Sequence, residues 1–251
     1  MAKKSIVSMQ KSINEYKAIL FDVDGTLYMQ HGLRMTMAKT LGKYFLLHPF
    51  RIKELLALIK YRRIREYWED ISQKHFDSLS HPKTSECQAN MEMMQYQYTA
   101  QKLHMTSRQV QDTVHYWMHS YPLSVLEKFK DKELCLLLEQ VRAQGTVIAA
   151  YSDYPASEKL KALQLNADYI FCSSDNDINC MKPHPKAVQI ILSKLKLNEK
   201  EVLMIGDRYS KDGLAAINSG MDYLILGTSL SRRRSIYKDM LSQLHTGENT
   251  P

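Results

Sequence analysis

The stretch that decides the fold is KAILFDVDGTLY, residues 17–28. A short apolar segment, Ala18–Phe21, runs directly into two acids, Asp22 and Asp24, which are followed by Gly25. Carboxylates at the end of a buried strand are costly unless a cation meets them. The stretch therefore predicts a buried strand whose end carries a cation-binding group.

Comparable apolar runs, each followed by acid, Ser, Gly or Pro, recur in the second half of the chain. Four of them are short and partly β-branched, at residues 147–151, 169–172, 202–206 and 223–226. Amphipathic segments of helix length lie between them or after the last, at residues 156–163, 186–195, 212–219 and 232–244. This alternation predicts an α/β fold, a parallel sheet with helices on both faces.

The texture changes between the first strand and the others, where helix-forming residues replace the strand-like runs. Ile52, Leu55, Leu56 and Ile59 follow the spacing of an amphipathic helix. The predicted organisation has four parts: a tail at 1–16, an α/β core at 17–28 and 131–244, an all-helical domain at 29–130, and a tail at 245–251. Breaks between the helices are expected at Pro49, at 78–84 and at Pro122.

Composition and charge bound the setting of the protein. The 251 residues are 44% apolar, which is ample for a globular interior, and no run approaches the roughly 18 apolar residues of a membrane span. The basic N-terminus lacks the apolar segment that export needs. The four cysteines are far apart in the sequence, which favours reduced thiols over a disulfide framework; they are Cys87, Cys135, Cys172 and Cys180. We therefore expect a cytoplasmic protein.

The formal net charge of +7 is concentrated in the predicted helical domain, where 15 Lys and Arg oppose 9 Asp and Glu. This excess favours anionic substrates, acidic partners or a phospholipid surface, and it is equally typical of a solvated helical face. The segment 41–64, with its apolar residues beside Arg51, Lys53, Lys60, Arg62 and Arg63, fits either an ordinary packed helix or a helix lying on an anionic membrane. No nucleic-acid partner is expected.

Acids, a serine and a lysine mark the ends of the other predicted strands. Ser152 follows the strand at 147–151, Asp207 follows the strand at 202–206, and Lys182 lies in a loop before a proline. Because parallel strands end at one edge of the sheet, these side chains should meet Asp22 and Asp24 in one crevice. Three crowded carboxylates repel one another, and a hard cation that prefers oxygen ligands, most simply Mg²⁺, resolves the repulsion.

The ordered set of these motifs resembles the haloacid dehalogenase superfamily. The matching segments are Asp22-Val23-Asp24-Gly25-Thr26, Ser152 at a strand end, Lys182 before Pro183, and Gly206-Asp207 followed by Asp212. They cover the α/β part, about half of the chain. The resemblance implies a Rossmann-like core with a helical cap domain inserted after the first motif, which corresponds to residues 29–130.

Chemistry and the resemblance agree on the roles of these residues. Asp22 is the expected nucleophile, which forms an aspartyl-phosphate, and Asp24 is the expected proton donor to the leaving alcohol and acceptor from water. Ser152 and Lys182 are expected to bind and neutralise the phosphoryl oxygens. Asp22, the backbone carbonyl of Asp24, and Asp207 are expected to bind Mg²⁺, while Asp212 either supports this site or caps a helix.

The sequence favours a magnesium-dependent phosphatase, because dehalogenases of the superfamily need no proton donor two positions after the nucleophile and typically lack the second acid. Its substrate, selected by the cap, is expected to be a small phosphorylated metabolite, with a phosphoprotein or phosphotyrosine as a further possibility. A phosphomutase of the same superfamily remains an alternative. So does a non-catalytic module whose basic cap binds an acidic partner or a membrane. The sequence leaves the oligomeric state open.

Overall fold

The computed structural model describes residues 6–72 and 90–246, and the chain separates into two compact units. The core unit comprises the chain up to Leu33 and from Val125 onward, and the helical unit comprises Arg34–Ser124. Within the described residues, no helix is long and apolar enough to cross a membrane. The predicted helix break at 78–84 and Cys87 lie outside the described residues.

A six-stranded sheet forms the centre of the core unit. In chain order its strands are β1 (Ile6–Ser8), β2 (Ala18–Phe21), β3 (Val147–Ser152), β4 (Tyr169–Cys172), β5 (Val202–Gly206) and β6 (Asp222–Ile225). Their order across the sheet is β1-β6-β5-β2-β3-β4. The last five strands of the chain are mutually parallel, and β1 pairs antiparallel with β6. The predicted parallel α/β sheet is therefore confirmed.

Helices account for most of the remaining described residues. In chain order they are α1 (Gln30–Leu47), α2 (Ile52–Glu66), α3 (Met91–Leu103), α4 (Ser107–Val114), α5 (Leu123–Leu126), α6 (Lys132–Ala143), α7 (Ser157–Ala162), α8 (Pro185–Leu195), α9 (Leu214–Asn218) and α10 (Leu230–Thr246). A 3-10 turn at Pro49–Arg51 separates α1 from α2, and α5 begins directly after Pro122. These are the two described positions at which proline was expected to interrupt the helices.

The topology of the sheet fixes where a site can form. Strand β2 lies between β3 and β5. The strands that follow β2 in the chain are therefore added first on one side of β2, as β3 and β4, and then on the other side, as β5 and β6. At such a switch point the loops after neighbouring strands diverge and leave a crevice at the carboxyl ends. Every residue of β2 and β5 is buried, as their apolar sequences predict. The polar residues that follow these strands are thereby held at one edge of a rigid sheet.

The prediction of an N-terminal tail at 1–16 is wrong for the residues described. Ile6–Ser8 form the edge strand β1, which pairs with β6, and Ile13 and Tyr16 are buried. The Tyr16 hydroxyl donates a hydrogen bond of 2.6 Å to Asp222 Oδ2. The segment is ordered because it covers the hydrogen-bonding edge of β6 and buries apolar surface of its own. At the other terminus, α10 continues through Thr246, and residues 247–251 lie outside the described part.

The helical unit has a hydrophobic core of its own, in which α2, α3 and α4 meet. The core consists of Ala57, Leu58, Tyr61, Tyr96, Ala100, Val110, Val114 and Trp117. Asn90 and Thr106 accept backbone N–H bonds at the N-termini of α3 and α4, and so satisfy donors that a helix leaves unpaired. All the regular structure described in this unit is helical.

Candidate active site

Asp22 and Lys182 form the centre of the crevice at the carboxyl end of β2. Lys182 Nζ donates to Asp22 Oδ1 at 2.5 Å, to Asp212 Oδ1 at 2.7 Å and to the Tyr151 carbonyl at 3.2 Å. The lysine is fully buried, and Asp22 is nearly so. Burial alone would lower the pKa of Lys182, but the carboxylates of Asp212 and Asp22 outweigh it and raise the pKa well above its usual value. Lys182 is therefore a fixed positive charge beside the candidate nucleophile.

Three carboxylates converge at this position. Oxygen atoms of Asp22, Asp207 and Asp212 lie within 4.8 Å of one another. Asp207 Oδ1 is buried and makes no hydrogen bond to the described residues, although Arg208 Nε lies 3.9 Å away. Burial and the Asp212 charge raise the pKa of Asp207 to about 6. Burial likewise raises the pKa of Asp22, supported by the neighbouring carboxylates and opposed by Lys182. A divalent cation among these oxygens would remove the repulsion, so the donor set fits Mg²⁺.

Two glycines allow the carboxylates to approach the backbone. Gly25 has φ +100°, and a Cβ atom there would lie 2.4 Å from Asp207 Oδ2. A Cβ atom on Gly206 would lie 2.4 Å from Cγ of Asp212. Both distances are shorter than any van der Waals contact, so a side chain at either position would displace one of the acids. The glycines in the first and fourth motifs are thus steric requirements of the acidic cluster.

Asp24 points to a different set of partners from the acidic cluster. Lys159 Nζ donates to both carboxylate oxygens, at 2.6 and 2.7 Å, and Ser152 Oγ donates to Oδ2 at 3.3 Å. The Tyr28 hydroxyl donates to Oδ1. Burial alone would raise the pKa of Asp24, but Lys159 and Tyr28 outweigh it and lower the pKa. Asp24 is therefore electrostatically distinct from Asp22, although only one residue separates them.

Asp153 connects the loop that carries Lys182 to the end of β3. Its Oδ1 accepts a hydrogen bond of 3.1 Å from the backbone N–H of Lys182 and one of 2.7 Å from Ser173 Oγ. Burial would raise the pKa of Asp153, but Lys182 and Ser173 outweigh burial and lower it. The ionised carboxylate thus holds the Lys182 backbone in place.

A buried arginine of α10 fixes the turn that follows Asp24. Arg233 donates to the carbonyls of Gly25 at 2.5 Å, Thr26 at 3.2 Å and Gly227 at 2.8 Å, and it pairs with Asp131 at 3.2 Å. With their carbonyls held by the guanidinium, the peptide groups of this turn have a defined orientation. Thr26 Oγ1 also donates to Asp22 Oδ2 at 3.2 Å.

Residues 16–220 match the family model described as haloacid dehalogenase-like hydrolase. The protein belongs to this hydrolase family.

Solved structures of the family share the fold of this hydrolase. The 2-haloacid dehalogenase from Pseudomonas syringae pv. Tomato DC3000 is 18% identical, with a TM-score of 0.53, and the match covers 83% of this chain and 85% of that one. The HAD-hydrolase YfnB from Bacillus subtilis is 13% identical, with a TM-score of 0.54, over 83% of this chain and 87% of that one. At these identities the similarity concerns the fold.

One curated relative is similar over a shorter segment. The 5'-nucleotidase YutF of Bacillus subtilis (strain 168) is 34% identical over 64 residues, which is 26% of this chain and 25% of the relative. The match therefore spans about a quarter of that protein's length.

The structure of this hydrolase brings Asp22, Lys182 and Asp207 together, as the sequence predicts, and places Ser152 against Asp24. It adds Asp212 to the acidic cluster, where the sequence left a choice between support and helix capping. The side chain of Asp24 is bound to Lys159, so Asp24 could contact magnesium only through its backbone carbonyl. That contact stays a prediction.

Three residues that complete the site of this hydrolase are not among the catalytic residues that the sequence predicts. Lys159 and Arg233 lie on amphipathic helices, where basic residues normally face solvent, yet both are buried. From the sequence alone, Asp153 could equally orient the site or cap the next helix. Its position directly after Ser152, at the end of β3, was the one local signal that it faces the crevice.

Proposed function

We propose that this hydrolase is a magnesium-dependent phosphatase that cleaves phosphate monoesters through an aspartyl-phosphate on Asp22. The observation that carries the proposal is the separation of two acids one residue apart. Asp22 lies in a cluster suited to a cation, whereas Asp24 is held apart by Lys159, Tyr28 and Ser152. Ester cleavage needs this division, because the leaving alkoxide must receive a proton. A departing halide needs none, so a dehalogenase has no task for Asp24.

The chain's own residues would divide the work as follows. Asp22 attacks phosphorus while Lys182, 2.5 Å from its Oδ1, neutralises charge shared between the carboxylate and the phosphoryl group. Asp24, which Lys159 keeps ionised in the free site, would take up a proton from the bound monoester monoanion and deliver it to the leaving oxygen. It would later take a proton from the water that hydrolyses the aspartyl-phosphate. Ser152 and the amides of the turn that Arg233 fixes donate to the phosphoryl oxygens.

Asp22, Asp207 and Asp212 would hold the magnesium ion, which supplies charge neutralisation for the phosphoryl group. The buried Asp207 Oδ1, which has no hydrogen bond to described residues, supports this assignment. So does the structure of YfnB, which shares the fold and is bound to magnesium.

The helical unit is proposed as the element that selects the substrate, because the side chains of the crevice are committed to chemistry. The segment shared with the 5'-nucleotidase YutF makes nucleoside monophosphates the first substrates to try. Sugar phosphates and phosphotyrosine peptides complete the panel, since an excess of Lys and Arg suits any of these anions.

The proposal is tested by comparing two leaving groups. In the presence of Mg²⁺, the protein should release phosphate from p-nitrophenyl phosphate and from an alkyl phosphate, and Asp22→Asn should lower both rates by 10³-fold or more, on the order seen for a lost nucleophile. Asp24→Asn should lower turnover of the alkyl phosphate by about 10²–10⁴-fold. It should lower kcat/KM for p-nitrophenyl phosphate much less, because kcat/KM covers the steps through loss of the leaving group and nitrophenolate leaves without protonation.

Asp177→Asn is the matched control, since Asp177 is an exposed carboxylate that pairs with Lys194 away from the crevice. It should leave both rates unchanged. Metal-dependent halide release from 2-chloropropionate without phosphatase activity would refute the proposal. So would equal losses of kcat/KM with both leaving groups in Asp24→Asn. Complete inactivity toward the panel would favour the non-catalytic binding module, and transfer of phosphate within a sugar phosphate would favour a phosphomutase.

A further inference from the structure

The helical unit exposes large apolar side chains around the turn between α1 and α2 and along α2. Phe50 is 98% exposed and Leu46 is 82% exposed, where a packed side chain would be almost covered. We call six residues the apolar tip: Leu46, Leu47, Phe50, Ile52, Leu56 and Ile59. Exposed apolar residues are ordinary when scattered, but a group of this size within 14 consecutive positions marks a surface that contacts something.

The pattern along α2 shows that the exposure is not a packing accident. Ala57, Leu58, Tyr61 and Ile64 are buried and form the face that packs in the helical unit. Ile52, Leu56 and Ile59 are spaced by four and three residues, so they form a second apolar stripe on the opposite face. A helix that only covered its own core would carry polar residues there.

Basic residues border this outer stripe on both sides. Lys53 and Lys60, seven residues apart, lie along one flank of the stripe, Arg62 lies along the other, and Arg63 continues the stripe itself. The segment 34–66 contains nine Lys and Arg and only two acids, so its net charge equals the +7 of the whole chain. Of the two acids, Glu54 already pairs with Arg51 at 2.6 Å. The charge around the tip is therefore strongly and locally positive.

We propose that the apolar tip and its flanking cations form a docking surface for an anionic phospholipid bilayer. An apolar stripe edged by long basic side chains matches the boundary between acyl chains and phosphate headgroups, where Lys and Arg extend to the phosphates. A protein interface fits the composition less well, because lysine is depleted from such interfaces. The proposal concerns location and does not depend on which reaction the core unit catalyses.

The first experiment measures binding of the full chain to vesicles by sedimentation. Vesicles of equal parts phosphatidylcholine and phosphatidylglycerol should bind the protein, and binding should fall as salt rises. Vesicles of phosphatidylcholine alone should bind at least about tenfold more weakly. Lys53→Glu/Lys60→Glu should lower the affinity for anionic vesicles by about 30-fold or more, and Phe50→Ser by about tenfold.

Lys132→Glu/Lys238→Glu is the matched control, because it makes the same charge change at two exposed lysines of the core unit. It should retain most of the binding. Phe50→Trp provides a direct reporter, whose fluorescence should shift to the blue and be quenched by brominated acyl chains when anionic vesicles are added. All of these positions are exposed or half-buried, so each variant should fold. Circular dichroism checks this.

Three results would overturn the inference. They are absence of binding to the anionic vesicles, equal loss of affinity in the two double variants, and unchanged tryptophan fluorescence in Phe50→Trp although that variant sediments with the vesicles. Selective binding of a soluble acidic protein by the apolar tip, without vesicle binding, would equally assign the surface to another partner.

Discussion

Replacing Arg233 by methionine should destabilise the protein and disturb the site from a position on the C-terminal helix. The side chains of Arg233 and Asp131 are 3% and 1% exposed, so the pair is desolvated. The guanidinium also donates to three backbone carbonyls, of which two belong to the Gly25-Thr26 turn. Methionine fills a similar volume but offers no donor.

The expected magnitude follows from what the substitution leaves behind. Asp131 would remain buried with the Tyr237 hydroxyl at 3.1 Å and the Leu134 N–H at 3.4 Å as its remaining donors. Removing one member of a buried ion pair costs about 3–5 kcal/mol. Asp131→Asn should cost less, about 1–2 kcal/mol, because an amide oxygen at the Oδ2 position can still accept from Tyr237 and Arg233, and Arg233 keeps its three carbonyl partners. The double variant should then be more stable than the sum of the single losses predicts, by about 1–3 kcal/mol.

Urea unfolding followed by far-ultraviolet circular dichroism gives the four free energies of the cycle. Arg232→Met is the control, since Arg232 is the exposed neighbour on the same helix and should change stability by no more than about 0.5 kcal/mol. Turnover should fall in Arg233→Met even under conditions where the variant is folded, because the turn after Asp24 loses its support. A loss below about 1 kcal/mol in Arg233→Met, or strict additivity in the cycle, would show that the pair does not hold this turn.

Three further predictions concern the crevice itself. Lys159→Met should raise the pKa of Asp24, so the alkaline limb of the kcat/KM profile should move to higher pH. In the wild type, the ion pair of Lys159 and Asp24 stabilises the fold at neutral pH, and this stabilisation is lost on acidification. The variant should lack this pH-dependent stabilisation. Gly25→Ala should weaken folding and activity because its Cβ atom would meet Asp207 at 2.4 Å, whereas Gly42→Ala in α1, where a Cβ atom meets nothing within 4 Å, should stabilise the protein by about 0.5–1 kcal/mol. Because the pKa of Asp207 is raised to about 6, the metal-free protein should lose stability as the pH rises from the ordinary Asp pKa to 6. Asp207→Asn should remove this pH-dependent loss. It should also remove the increase in melting temperature that Mg²⁺ is expected to give the wild type.

The sequence predicts those parts of the molecule in which a local pattern identifies the element and the topology of a parallel sheet determines its position. Short apolar runs that end in Asp or Ser identify β2, β3 and β5, and a parallel sheet necessarily brings their ends together. The strand β1 was missed because its three residues gain their order from pairing with β6, more than 200 positions away in the chain. The local sequence around β1 does not indicate which strand it pairs with.

Lys159 and Arg233 were missed for a related reason. Basic residues on amphipathic helices are nearly always solvated, so neither the helix pattern nor the composition distinguishes them from their exposed neighbours Lys161 and Arg232. Their burial is decided by which face of the helix meets the loop after β2. That face is set by packing of the helix on the sheet, which appears only when the whole core unit is assembled.

The charges of the crevice explain why we propose a cation there. Five carboxylates, those of Asp22, Asp24, Asp153, Asp207 and Asp212, face the three cations Lys159, Lys182 and Arg208. Lys159 satisfies Asp24, and the pKa of Asp24 is lowered; Asp22 and Asp207 share what is left, and their pKa values are raised. Two negative charges thus remain uncompensated, and both belong to the cluster whose oxygens lie within 4.8 Å of one another. A single divalent ion would balance that excess, and it would leave the Asp24 carboxylate, which Lys159 already binds, available for proton transfer.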